Sequence, residues 1–259
     1  MLESIINEPI AELLKIFLLL FIGTVAGFIN VGAGGGSILT LPLLIFLGMD
    51  GALANGTNRL SVMTQNFFAI SSFRQQGMHD FKTSFQMSLF TLPGAVVGAF
   101  LSIKLDNIWF ERVLAIVMIF VVLSMIFNGS RSSSKKISSM ANKKILLYFS
   151  LFGIGFYGGF IQVGVGLLFL VALFHLSDMN LLHVNMHKVF IILIYTLPVL
   201  GIFIVTRNVD WGYGIILSAG TAFGAWWGAR VNVQRGEKIT RFVLAISVLL
   251  MSGKLLGVF

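Results

Sequence analysis

The sequence predicts an all-α, polytopic membrane protein built from two inverted repeats, each of about five helical segments. Composition, the length of the apolar runs and an internal repeat carry this prediction. Hydrophobic residues make up 57% of the chain and charged residues 11%, where a soluble domain carries about 25% charged. A soluble chain of 259 residues this apolar could not cover its own surface. Mean hydropathy is +0.94. Apolar runs at 13–29, 83–103, 108–127, 145–160, 189–206, 211–229 and 239–258 meet or approach crossing length. Crossing about 30 Å of hydrocarbon takes about 20 such residues.

The repeat orders these runs into halves. Gly27-Phe28-Ile29-Asn30-Val31-Gly32-Ala33-Gly34 matches Gly159-Phe160-Ile161-Gln162-Val163-Gly164-Val165-Gly166 at an offset of 132. At an offset of 130, Asn55 pairs with Asn185, Asp80-Phe81 with Asp210-Trp211, Gly94 and Gly98 with Gly224 and Gly228, and Val113–Ile116 with Val243–Ile246. The order is preserved along the whole half, which chance likeness between apolar helices does not produce. The first half, residues 1–129, holds segments at about 12–29, 37–48, 58–73, 83–103 and 108–127. The second, 144–259, holds them at about 145–161, 167–177, 188–206, 211–230 and 239–258. The serine-rich, basic stretch 130–143 reads as a solvated linker. The second segment of each half is too short to span alone, so the total is 8–10 membrane segments, with broken or re-entrant helices at the glycine motifs.

Charge sets the orientation. With an odd number of crossings per half the repeats are inverted. The inside loops then hold Arg74, Lys82, Arg131, Lys135, Lys136, Lys143, Lys144, Lys188, Arg230, Arg235, Lys238 and Arg241, 12 of the 18 Lys and Arg. A parallel arrangement moves Arg230, Arg235, Lys238 and Arg241 outside, against the positive-inside bias. The expectation is a cell (inner) membrane protein with both termini outside and the linker cytoplasmic. The net charge of +8 belongs to these loops and does not point to nucleic acid. The N-terminus lacks the basic region and cleavage site of a signal peptide, so the first helix is expected to be retained. The absence of cysteine excludes disulfides and thiol chemistry.

Candidate chemistry sits at two places. Asn30-Val31-Gly32-Ala33-Gly34-Gly35-Gly36-Ser37 joins two apolar segments. Consecutive glycines cost a helix about 1 kcal/mol each relative to alanine, so the stretch reads as a helix break. A short helix starting near Ser37 would aim free N–H groups and a positive dipole end at an anion. Gln162, Gly164 and Gly166 repeat the device more weakly, and paired breaks are the best sequence pointer to a transporter's central site. Close helix packing is the other reading, and it is preferred for Gly94/Gly98 and Gly224/Gly228. The second place is Asn55-Gly56-Thr57-Asn58-Arg59, whose partner is Asn185-Met186-His187-Lys188. No acid lies within a helical turn of Arg59 or Lys188. A cation in the membrane is functional or paired, so an anionic substrate is one candidate counter-charge. Snorkelling of the long stems to the interface is the alternative. Gln65 and Asn66 either bond helix to helix or line the site.

The Gly27–Gly36 stretch with Pro42, then Ala54-Asn55-Gly56-Thr57-Asn58-Arg59, Gly77 after the third segment, and Asn185–Lys188 resemble the sulfite exporter TauE/SafE family. The resemblance covers nearly the whole chain. It implies a multi-pass anion transporter, of the kind linked to export of sulfite, sulfoacetate or other organosulfur anions. The second glycine motif departs from the first, with Leu167-Leu168 in place of Gly35-Gly36, which puts strict equivalence of the two half-sites in doubt.

The expected substrate site is therefore Asn30, Gly34, Gly35, Gly36, Ser37, Thr57, Asn58, Arg59, Gln162, His187 and Lys188, working by alternating access. A proton or sodium is the candidate coupling ion, with His187 as proton carrier. No cofactor and no metal are expected. His175, His183 and His187 have no acid or cysteine to complete a zinc set. No HExxH motif, paired intramembrane aspartates or nucleophile–base pair suggests an enzyme. A passive anion channel is the rival within transport. Glycine seams serve either intrachain packing or contacts in a homo-oligomer.

Overall fold

The computed structural model describes residues 2–127, 140–177 and 179–235, all helical between short turns. The tenth expected segment, 239–258, and most of the linker lie outside these residues. The helices are α1 (Leu2–Ala33), α2 (Ser37–Phe46), α3 (Gly51–Gln75), α4 (Phe81–Ser102), α5 (Asn107–Phe127), α6 (Met140–Phe160), α7 (Val165–Leu176), α8 (Leu181–Val205) and α9 (Trp211–Arg235). They correspond to the nine expected segments in order. α3 and α8 begin about seven residues earlier than the apolar runs suggest. Asn55–Arg59 and Asn185–Lys188 thus lie within helices rather than at their starts. Their polar side chains are buried against other helices, so hydropathy alone misplaces the boundary.

The molecule is inside-out. Asn55, Thr57, Asn58, Arg59, Gln65, Asn66, Gln162, Asn185 and Lys188 are buried. Phe17, Phe21, Phe85, Leu89, Phe100, Phe149, Phe152, Phe223 and Trp227 point outward. Water would penalise that outer surface, and acyl chains do not. The protein is a membrane protein. Glu12–Ala33 of α1, all of α4 and all of α8 are long and apolar enough to cross on their own. α3 is long enough but too polar, because the buried side chains just named lie along it. The short apolar helices α2 and α7 follow the two breaks.

Helix packing exchanges partners between the halves. α1 packs most extensively on α9, and α4 on α6; α3 lies on α9 as α8 lies on α4. Mapping α1, α2, α3 and α4 onto α6, α7, α8 and α9 turns each of these contacts into the other. Two bodies result. One holds α1, α2, α3 and α9; the other holds α6, α7, α8 and α4. They meet mainly where α3 crosses α8. Glycines make the long contacts close: Gly94 and Gly98 of α4 face the backbone of Phe152, Phe156 and Phe160, and Gly224 and Gly228 of α9 face Thr24 and Phe28. These four are packing residues, and the seams run within one chain.

The two helix breaks touch. Gly34 and Gly166, equivalent by the repeat, meet backbone to backbone, and a Cβ on either would overlap the other. Gly34 also has φ 74, which favours glycine. Gly166 has no positive φ, so Gly166→Ala isolates the close contact. Overpacking of this kind costs about 1–3 kcal/mol and is expected to appear as a lower melting temperature in detergent. Gly153→Ala in α6, where the added Cβ meets nothing within 4 Å, is expected to leave the melting temperature unchanged or raise it.

Candidate functional site

Where α1 and α6 stop, their last carbonyls lose intrahelical partners. At membrane depth these groups must be satisfied by protein. Side chains from the other body do this at both breaks. Arg59 Nη1 donates to the Gly158 carbonyl (3.0 Å) and Nη2 to the Gly159 carbonyl (2.5 Å). Asn55 Nδ2 donates to the next carbonyl, Phe160 (2.9 Å), and to Ser102 Oγ (2.9 Å). Asn55 Oδ1 accepts a longer bond from Arg59 Nη2 at 3.4 Å. The guanidinium also lies 4.9 Å from the Phe203 ring centroid, a cation–π distance.

The other break repeats the plan. Lys188 Nζ donates to the carbonyls of Asn30 (3.1 Å) and Val31 (2.8 Å) and to Asn185 Oδ1 (2.8 Å). Asn185 Nδ2 reaches Asn232 Oδ1 at 3.4 Å. Asn55 and Ser102 stand at the repeat positions of Asn185 and Asn232. Each cation therefore sits on the negative end of the opposite body's interrupted helix. Both are wholly buried, which excludes snorkelling to a wet interface. The counter-groups that the sequence leaves missing are, in this arrangement, backbone carbonyls.

The other expected site residues divide. All eleven are buried. Asn58 Oδ1 accepts from Thr40 Oγ1 at 2.6 Å and ties α3 to α2, while its Nδ2 has no partner. Gly36 closes against the carbonyl of Ala26 and the side chain of Asn30, so packing accounts for it. The N–H groups of Gly35, Gly36 and Ser37 make no backbone hydrogen bond among the described residues. Thr57 and His187 do not join the breaks. Thr57 Oγ1 accepts from the Asp210 N–H at 2.9 Å, ahead of α9. His187 Nδ1 lies 2.7 Å from Ser84 Oγ near the start of α4. These two are again repeat-related, each tying the third helix of a half to the helix exchanged into its body. Gln162, fully buried at the second break, adopts φ 62, and neither of its amide atoms has a hydrogen-bond partner.

Sequence reading missed Ser102 and Asn232. Ser102 and Asn232 are legible as a 130-residue pair, polar in both halves.

Neutralising one latch tests its structural role. Lys188→Met leaves the Val31 carbonyl without this donor and the Asn30 carbonyl with the Gly34 N–H alone. Loss of charge-assisted bonds of this kind costs about 1.5–3 kcal/mol, expected as a lower melting temperature in detergent. Asn185→Ala combined with Lys188→Met is expected to cost less than the sum of the two, because they share one network.

Comparison with known proteins places the chain among membrane transporters. The family profile described as "Sulfite exporter TauE/SafE" matches residues 19–255. A "Probable membrane transporter protein" of Haemophilus influenzae is 27% identical over 244 residues, covering 92% of this chain and 93% of that protein. "Probable membrane transporter protein YfcA" of Escherichia coli strain K12 is 29% identical over 244 residues, covering 92% and 88%. "Probable membrane transporter protein YunE" of Bacillus subtilis is 23% identical over 273 residues, covering 93% and 98%. No solved structure matches the chain. With its profile match spanning nearly the full length, and its interior built around two helix breaks, the chain belongs to the sulfite exporter TauE/SafE family of membrane transporters.

Proposed function

We propose that the protein moves a small sulfur-containing anion, sulfite or an organosulfonate such as sulfoacetate, out of the cell by alternating access. One observation carries this reading. Arg59 is fully buried where two interrupted helices meet, and no carboxylate lies within salt-bridge distance of it among the described residues. Carbonyl oxygens bring only partial negative charge to a full positive one. An anion arriving at this point gains a full charge partner in a low-dielectric interior.

The exchanged packing suggests which parts move. Shifting residues 1–129 as a unit against 144–259 would break the α1–α9 and α4–α6 seams. Rocking the two exchanged bodies about the α3–α8 crossing spares both seams. The polar contacts at the moving boundary are then the Arg59 and Lys188 latches. In this reading the repeats are inverted in the membrane, with termini outside, the linker cytoplasmic and the protein in the cell membrane. The substrate lies beside the touching breaks, within reach of Asn30, Asn58, Arg59, Gln162 and the N–H groups at Gly35–Ser37. His187 is the candidate proton carrier.

Proteoliposomes loaded with radiolabelled sulfite test the function. Flux is expected to saturate with concentration and to fall about tenfold or more in Arg59→Gln, with protein yield maintained. Unchanged flux in that variant removes Arg59 from the site. Flux that does not saturate marks a channel. The absence of cysteine also permits clean topology mapping. Ser133→Cys is expected to be shielded from an impermeant maleimide in intact cells, and Asn208→Cys to be labelled. The reverse pattern overturns the orientation.

A further inference from the structure

The two latches share a plan and differ in saturation. On one side Lys188 Nζ meets three acceptors. On the other, polar atoms outnumber their partners. Arg59 Nε, both amide atoms of Gln162 and Tyr195 Oη have no hydrogen-bond partner, and all three residues are fully buried. They lie together. A Cβ built on Gly158, whose carbonyl Arg59 holds, would stand 2.8 Å from Tyr195 Oη. The Gln162 side chain lies beside that hydroxyl without a well-formed bond to it. Each unpaired buried polar atom costs about 1–3 kcal/mol, and native interiors keep few of them. Four such atoms gather at one helix break. Gln162 is moreover held at φ 62, an uncommon conformation for a residue other than glycine.

We propose that Tyr195, Gln162 and the Nε edge of Arg59 form the head-group subsite of the transported anion, with Tyr195 as a specificity-determining residue. This rests on the anion-transport reading above and narrows it to a monoanion with three oxygens, hydrogensulfite or a sulfonate. The shell offers donors from Arg59 Nε–H, Gln162 Nε2 and the Tyr195 hydroxyl. A three-oxygen head gives each of the three donors its own oxygen in a trigonal arrangement, whereas a planar carboxylate must share one of its two oxygens between two donors. Gln162 Oε1 is the acceptor for the proton of hydrogensulfite. One guanidinium balances one charge, so a dianion such as sulfate would bury a charge without a partner here. The other half cannot form the same subsite. At the repeat positions of Gln162, Tyr195 and Arg59 stand Asn30, Gln65 and Val189, and no guanidinium is supplied.

The full-length protein purified in detergent, titrated calorimetrically with methanesulfonate, sulfite, acetate and sulfate, tests this. Methanesulfonate is expected to bind at least about tenfold more tightly than acetate or sulfate. Sulfite affinity is expected to fall as pH rises past neutrality and hydrogensulfite becomes the dianion. Tyr195→Phe removes one oxygen, and Gln162→Asn withdraws the amide while tolerating positive φ. Each is expected to weaken methanesulfonate binding about tenfold while the ligand-free protein still melts cooperatively. If the wild type binds and both variants bind equally well, the subsite is overturned while the anion reading stands. Acetate or sulfate binding as tightly as methanesulfonate overturns the three-oxygen monoanion without any variant. If the wild type binds none of the four anions, the proposed function and the subsite fall together.

Discussion

A buried cation seated on the carbonyl end of another helix is the constraint around which the rest of this molecule is arranged. Stopping a helix inside a membrane exposes several carbonyls to a medium with no donors. A cation in the same medium needs oxygen around it. Each problem is the other's solution. Arg59 and Asn55 between them satisfy the carbonyls of Gly158, Gly159 and Phe160 in succession. Lys188 satisfies Val31 and gives Asn30, which also accepts from the Gly34 N–H, a second donor. Because each cation comes from the opposite body, the breaks cannot form in one half alone. The two halves must fold onto each other for either break to be tolerated.

The glycines follow from the same requirement. Short donors at a helix end demand that the breaks approach closely, and Gly34 and Gly166 allow their backbones to touch. The long seams of α1 with α9 and α4 with α6 are likewise built on glycine facing carbonyl oxygen. Small residues supply van der Waals contact where no hydrophobic drive exists between helices in lipid. Stability thus comes from rigid glycine seams inside each body. Polar latches, which can be exchanged for other polar partners, lie between the bodies. That division suits the rocking motion proposed above.

Much of this was legible in the sequence because membranes make hydropathy informative. Among the described residues the nine expected segments that fall there are all helices, and the repeat pairs the positions of α1–α4 with those of α6–α9. The packing reading of Gly94, Gly98, Gly224 and Gly228 holds. The starts of α3 and α8 were not legible, since buried polar residues look like loop to an apolar-run argument. The partners of Arg59 and Lys188 were also hidden. A search for counter-charges looks for Asp and Glu, and every residue carries a carbonyl, so a backbone acceptor leaves no mark. The exchange of α4 and α9 between halves was hidden for a different reason. The repeat shows which helices are equivalent, and it carries no information on whether each packs within its own copy.

The choice of Arg on one side and Lys on the other has a consequence that symmetry conceals. An ammonium has three donors, and those of Lys188 meet three oxygens. A guanidinium has five donors along three edges. Arg59 holds the α6 carbonyls with its two terminal nitrogens and keeps Nε on a separate edge. Arginine can therefore grip the helix end and face a ligand at the same time, while lysine must release one to take the other. In the proposed reading, a ligand at Arg59 would add charge to a latch that stays closed. A ligand at Lys188 would open one. Under the rocking proposed above these would be different tasks, and a two-fold repeat can divide them only by letting its two cations diverge.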